Sequence, residues 1–289
     1  MRKRYEELKF TNDFMFGKVM EDKELCRGVL ERLLGQPVGE LQDVQTERNF
    51  QYTADGKPIR LDVYTRDQDT IYDAEMQNLN HKKLEDLDLA KRSRFYQSTM
   101  DTDFLEKGHS YRELPEGKII FLCTFDPFGL GQAKYTFKNI CQHNRELQLG
   151  DGTEKIFFNC TCPAEKVPEN LRTLFDFISC EKAEDDLTRS LAEALDQARR
   201  NEEWRSEYMK ELLHDDDVRT DAFAEGRELG LSQGLSQGIS QGLSQGLSQG
   251  RMESRKEIAR NMYDNSFSLE QIALVLNEDQ GIIKEWLKN

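Results

Sequence analysis

The 289-residue chain has no apolar run approaching the eighteen or so residues that a membrane helix needs. Its opening MRKRYEELKF carries basic residues with no apolar stretch behind them, so no secretion signal is legible either. The expectation is a soluble, cytoplasmic protein. The six cysteines include no CxxC pair, and Cys123 sits inside the apolar run IIFLCTF, where it reads as a small buried hydrophobe. The CTC of Cys160 to Cys162 is too isolated for a metal site, so reduced thiols are expected rather than disulfides or zinc. An overall excess of positive charge is missing too: the formal net charge is −14. Residues 1–112 hold 19 Lys and Arg against 22 Asp and Glu, a net of −3, and the remainder carries −11. The amino-terminal part is therefore near neutral and leaves room for a local basic face.

With 37% hydrophobic and 9% aromatic residues the chain can bury a sizeable core, while 33% charged residues and a mean hydropathy of −0.76 mark part of it as solvated. One globular domain and an extended polar tail are expected. TNDFMFGKVMEDKELCRGVLERLLG has caps at Thr11 to Asp13, helically spaced apolar residues and a stop at Gly35 and Pro37, so it predicts one helix or two short ones. VQTERNFQYT, KPIRLDVYT and TIYDAEMQ follow as strands, DLDLAKRSRFYQSTMDTDFL returns to helical spacing, and GKIIFLCTF reads as a buried strand. Further strands near KYTFKNI and EKIFFNC and a helix from about Pro168 to Cys180 complete the globular part. Leu187, Leu191, Leu195 and Ala198 then predict one long amphipathic helix from Glu184 to about His214.

RLDVYTRDQDTIYDAEMQ, residues 60–77, reads as a hairpin. Alternation predicts one face of Ile59, Leu61, Val63, Tyr72, Ala74 and Met76, and another of Arg60, Asp62, Tyr64, Asp73, Glu75 and Gln77. A four-residue loop at Arg66 to Asp69, with Thr65 opposite Tyr72, sets Asp62 directly opposite Glu75. A two-residue loop makes them diagonal neighbours instead. Two carboxylates facing each other across a ladder repel, unless something positive lies between them. A divalent cation held by Asp62, Glu75 and the Met76 backbone carbonyl answers that problem, and hard oxygen ligands suit Mg²⁺, which can activate water against a phosphodiester. The competing reading is a solvated acidic hairpin face.

The order of helix, three strands, helix and strand, with an acid on the second strand and E-x-Q on the third, resembles the PD-(D/E)XK nuclease fold. YEELKFTNDFMFGKVM, ADGKPIRLDVY, YDAEMQ, KRSRFYQSTMD, IFLCTFDPFG and LGDGTEKIFFN are similar to blocks of one branch, the Rpn family of recombination-promoting nucleases and transposases, over most of residues 1–213. The resemblance implies an α/β restriction-endonuclease-like core, a mixed sheet flanked by helices, followed by a helical tail. It implies a Mg²⁺-dependent DNA endonuclease, with Mn²⁺ as the alternative ion, acting in recombination or mobile-element biology. Asp62 and Glu75 match the metal-binding acids of its motifs, and Gln77 stands where the fold's name has a lysine. A glutamine orients water but brings no charge. Lys91, Arg92 and Arg94 on the next helix are the candidates to supply it: Lys91 as the catalytic cation, Arg92 and Arg94 as nucleic-acid contacts. Glu47 is an extra ligand or an exposed charge, and Asp13 a helix cap. The departure at Gln77 keeps open a non-catalytic scaffold that binds nucleic acid or protein.

The expected divisions are a nuclease-like domain over 1–182, a helical extension over 183–224, the repeat over 225–250 and a small helical module over 251–289. LSQGLSQGISQGLSQGLSQG, residues 231–250, carries no charge. Each glycine costs a helix about 1 kcal/mol relative to alanine, which favours a linker. Four residues turn a helix by about 400°, so the Leu and Gly rows form slowly winding stripes that suit self-association into a homo-oligomer. Both readings stand. The last 35 residues suggest three short helices, with Ser268 and Gln271 in capping-box spacing. Glu278 and Asp279 at the start of the last helix favour a packing module over a DNA-reading helix-turn-helix.

Overall fold

A computed structural model describes residues 4–50, 59–79, 87–105 and 110–288. The predicted strand segments at residues 51–53 and 57–58 and the predicted helix start at residue 86 lie outside the described residues. The chain runs α1 (Asp13–Met20), α2 (Lys23–Leu34), β1 (Val44–Phe50), β2 (Ile59–Arg66), β3 (Thr70–Gln77), α3 (Leu89–Phe104), β4 (Glu116–Cys123), β5 (Lys134–Phe137), β6 (Thr153–Asn159), α4 (Glu169–Cys180), α5 (Asp186–Arg200), α6 (Glu202–Asp264), α7 (Leu269–Leu276) and α8 (Gln280–Lys288). Local chemistry sets the helix limits. The Asn12 side chain accepts the Met15 amide at the start of α1, the Asp22 carboxylate takes two amides at the start of α2, and Gly35 ends α2 in the left-handed conformation. Asn12 is thus the cap, and Asp13 is the first helical residue.

Six strands form one sheet in the order β1-β2-β3-β4-β6-β5. β1, β2 and β3 are antiparallel neighbours, β3, β4 and β6 run parallel, and β5 closes the far edge antiparallel to β6. β3 is buried along its whole length, because β2 and β4 pair with it and helices cover both sheet faces. One face packs Val63, Ala74, Met76, Ile120 and Phe158 against α1, α2, α4 and α5. There Phe10 meets Phe16 edge to face and Phe177 at a tilt, with ring centroids 5.4 and 5.2 Å apart, each buried ring contributing about 1.5–3 kcal/mol. The other face packs Ile71, Ile119, Phe121 and Phe157 against Leu89, Tyr96 and Met100 of α3.

The chain divides into two compact units, Met1–Lys210 and Glu211–Asn289. In the first, Leu191, Leu195 and Ala198 of α5 belong to the core, as do Trp204 and Tyr208 at its margin, so this unit runs well past residue 182. The single helix expected from Glu184 is broken at Asn201, whose side chain accepts the Glu203 and Trp204 amides and starts α6 afresh. In the second, residues 231–250 are helical within α6 and exposed throughout. Beyond them Ala259, Ile272, Leu276 and Ile283 form a small core, and Ser268 with Gln271 makes the expected capping box. Glu278 pairs with Arg255, and Asp279 accepts the Gly281 amide, so both acids are used within this small fold. Among the described residues no helix is long and apolar enough to cross a membrane.

Candidate active site at the open end of a hairpin

The β2–β3 hairpin is tied tightly at its turn. Asp67 accepts the Asp69 and Thr70 amides at 3.0 and 2.8 Å, the Gly39 amide at 3.1 Å and the Tyr72 hydroxyl at 2.9 Å. Thr65 pairs with Tyr72 as expected, but Arg66 also pairs with Ile71, so the four-residue loop is Asp67 to Thr70, one position later than predicted. Pairing continues to Val63 and Ala74 and then stops. At the next row Asp62 faces Glu75, and their side chains take over from the ladder. The Asp62 amide donates to Glu75 Oε1 at 2.9 Å, and the Met76 amide donates to Asp62 Oδ2 at 3.0 Å. Each acid therefore caps an amide of the opposite strand.

The break extends to β1. Its register with β2 brackets Glu47 opposite Asp62, and Glu47 has a positive φ of 52°, rare for a residue with a side chain. Glu47, Asp62 and Glu75 thus lie in one row across three strands. The distortion also reverses the pleat: Ile59 and Leu61 pack on the α3 side and Val63 on the other. The expectation that these three share a face is corrected, because period two holds only along an unbroken ladder. The same break brings Arg60 to the lining of an open cleft of about 320 Å³, with Asp13, Asp62, Met76, Gln77 and Arg92.

Helix α3 brings one cation to the acids. Leu89, Ser93, Tyr96 and Met100 face the sheet, and Arg92 lies at the edge of that stripe. Its Nη1 donates to Gln77 Oε1 at 2.8 Å, and its Nη2 to Glu75 Oε2 at 3.3 Å and to the Tyr96 hydroxyl at 2.7 Å. Lys91, expected beside the acids, is one helical step away: its side chain is 72% exposed and pairs with Asp88 at 3.1 Å. Arg94 is also exposed. The structure brings together Asp62, Glu75, Met76, Gln77 and Arg92, sets Glu47 in their row, and leaves Lys91 and Arg94 outside. The Met76 amide points toward β2, because Gln77 is the residue whose carbonyl accepts from Thr124 beyond β4. In β geometry the Met76 carbonyl lies on that same acid-bearing edge. Asn78, absent from the sequence reading, is held between the Thr11 carbonyl and the Thr124 hydroxyl and fixes the exit of β3.

A second residue absent from the predicted site, and an acid, is Asp73. It is 0% exposed and Glu75 is 1% exposed, and the one group among the described residues that shares a hydrogen bond with the Asp73 carboxyl is the Glu75 carboxyl beside it. Burial drives all three carboxyl groups well above their usual range, and they reinforce one another. For Asp62 the next causes are Glu75 and Asp13, for Glu75 it is Asp73, and for Asp73 it is Asp62. The rise is opposed at Glu75 by the Asp62 amide and then Arg92, at Asp73 by its hydrogen bond with Glu75 and then Arg92, and at Asp62 by the Met76 amide and Arg60. Burying an uncompensated carboxylate costs several kcal/mol, so this cluster suits a cation better than it suits a core. Among the described residues no group of three or more His, Cys, Asp or Glu is arranged to hold a metal by itself. Two carboxylates and a backbone carbonyl remain, hard oxygen donors that suit a divalent cation. The residues fit such an ion.

A family model described as PD-(D/E)XK nuclease family transposase matches residues 10–173. That span contains the whole sheet, α1 to α3 and the candidate site. The mixed sheet with flanking helices and a helical carboxy-terminal region is the architecture implied by the resemblance. No curated protein and no solved structure matches the chain.

Proposed function

The chain belongs to the PD-(D/E)XK nuclease family transposases, and on that premise we propose that it is a divalent-metal-dependent DNA endonuclease of the cytoplasm, cutting DNA in recombination or transposition. The observation that carries this reading is the row at Asp62 and Glu75, where a half-buried and a buried acid replace the ladder of a hairpin. Asp62, Glu75 and the Met76 carbonyl would hold Mg²⁺ or Mn²⁺, with Glu47 in the same row. Such an ion lowers the pKa of a bound water and polarises a phosphoryl oxygen. Gln77 orients the attacking water through its amide, and Arg92 takes the place in which Lys91 was expected. Its fork, now on Gln77 and Glu75, fits the non-bridging oxygens of a phosphodiester and offsets charge developing there. Arg94, exposed on the same helix, contacts the phosphates further along the strand.

The test is nicking of supercoiled plasmid with Mg²⁺, Mn²⁺ or EDTA. Asp62→Asn and Glu75→Gln are each expected to lower metal-dependent cleavage by roughly a hundredfold or more. Cleavage at the parental rate by both would overturn the assignment. Gln77 in the lysine position favours the second reading, a non-catalytic scaffold binding nucleic acid or protein, and metal-independent DNA binding without any cleavage would decide for it.

The repeat supports a further part of the proposal, a homo-oligomer. Leu231, Leu235, Ile239, Leu243 and Leu247 are all more than half exposed along α6. A helix with glycine at every fourth position gains the burial it needs by packing on another copy. Changing the repeat glycines to valine should lower the mass measured by analytical ultracentrifugation, and changing them to alanine should preserve it. An equal number of subunits in the parent, both variants and a chain ending before Glu225 would mean that the repeat is not the associating element.

A further inference from the structure

Asp73 occupies a position where its one hydrogen-bonding partner is another buried acid, Glu75. It lies on the face of β3 covered by α3, among Ile71, Tyr96, Met100 and Phe121, where an apolar side chain would pack without loss. The polar groups on the sheet side of α3 are directed elsewhere: Ser93 donates to the Ala90 carbonyl, Gln97 to Asp101, and Arg92 to Gln77, Glu75 and Tyr96. Both Asp73 carboxylate oxygens are buried with no amide, hydroxyl or guanidinium donor, and only a proton shared with the Glu75 carboxyl bridges them to another group. Its charge acts on Glu75 beside it and on the Tyr96 hydroxyl, and Asp62 and Arg92 act on it in turn with opposite signs.

Two acids buried against each other with no other donor for one of them call for an explanation outside packing, and such perturbed groups collect at functional sites. Resting on the reading of Asp62 and Glu75 as holders of a divalent cation, we propose that Asp73 is a positioning carboxylate of that site. It stands behind Glu75 and adds a third negative charge that draws the cation in, without ligating it. Direct ligation is not part of the inference, because no three acids among the described residues converge on one ion. The arrangement is costly in the metal-free protein and favourable when a divalent charge arrives, because affinity for hard cations rises with the count of carboxylates around them. Partners behind a ligand commonly tune metal affinity by 10- to 100-fold.

The experiment uses the full chain, with Mg²⁺ and Mn²⁺ titrated calorimetrically and thermal unfolding followed in EDTA at neutral pH. Asp73→Asn keeps the shape and removes the charge, Asp73→Ser is a second variant, Glu75→Gln marks loss of a ligand, and Asp101→Asn is the control for removing a half-buried acid elsewhere on α3. The expected result is that both Asp73 variants bind the ions about tenfold or more weakly while unfolding a few degrees higher in EDTA, with the Asp101 variant binding like the parent. Unchanged affinity in the Asp73 variants overturns the proposal. So does a lower unfolding temperature or failure to fold, which would make Asp73 a structural residue. If the parent itself binds neither ion, the reading of Asp62 and Glu75 fails first and the role of Asp73 fails with it.

Discussion

Asp67 and Asp73 stand six residues apart on one hairpin and live in opposite surroundings. Burial works against the Asp67 carboxylate, but the Asp69, Thr70 and Gly39 amides and the Tyr72 hydroxyl hold its carboxyl below the usual range. Asp73 has only the Glu75 carboxyl to share a hydrogen bond with, and burial followed by Asp62 drives it well above that range. The comparison separates two uses of the same side chain. An acid surrounded by donors builds the turn and needs no further partner. An acid buried without donors weakens the fold and is retained for what it does to something that arrives later. Glu75 and Asp62 fall between the two, each satisfied by one amide of the opposite strand and still repelled by its neighbours.

The largest effect that can break this comparison is on stability. Asp67→Ala removes four hydrogen bonds and leaves three amides to find water at a partly buried turn. A loss of about 1–3 kcal/mol is expected, since unpaired partners of a charged acceptor carry that penalty. Glu75→Gln keeps an acceptor for the Asp62 amide and removes a repelling charge, so in EDTA it is expected to leave the fold as stable as the parent or more so. Urea unfolding of both variants measures the contrast. A larger loss for Glu75→Gln than for Asp67→Ala would erase the distinction between the two ends of the hairpin.

Much of this was legible in the sequence, and the failures have physical causes. The pairing of Thr65 with Tyr72 and the meeting of Asp62 with Glu75 follow from turn chemistry and period two. The face of Ile59 and Leu61 was misassigned because the ladder breaks at Asp62. Nothing in the residue type of Glu47 announces the left-handed backbone that accompanies the break. The change from Lys91 to Arg92 is a matter of helical phase, and its signal was present: Arg92, Tyr96 and Met100 repeat at i and i+4, the stripe that faces the sheet. Asp73 could be placed beside Glu75 by alternation. Its isolation depends on α3 lying over β3, a tertiary fact that no local pattern carries.

A smaller effect, but one that sharpens the comparison most, is the dependence of stability on pH in EDTA. The Glu75 carboxyl is held well above its usual range by burial and by Asp73. Below about pH 4.3, where an unfolded glutamate begins to keep its proton, the group is protonated in both states, and whatever stability it contributes is fully present. As pH rises, the unfolded chain releases that proton and the folded chain retains it, so the parent loses stability until pH passes the folded value. Glutamine does not titrate, so the advantage of Glu75→Gln over the parent grows from pH 4.5 toward neutrality, by at most about 1.4 kcal/mol per pH unit. Asp67 behaves the other way. Its folded carboxyl is lowered, so its contribution is present above about pH 3.9 and is lost as pH falls through the folded value. The deficit of Asp67→Ala is therefore established by pH 4.5 and shrinks only in stronger acid. Unfolding temperatures of parent and both variants at pH 3, 4.5, 6 and 7.5 should diverge as pH rises, with Glu75→Gln moving above the parent and Asp67→Ala below it. Parallel profiles would show that the two acids are in equivalent surroundings and that the open end of the hairpin holds no stored repulsion for a cation to relieve.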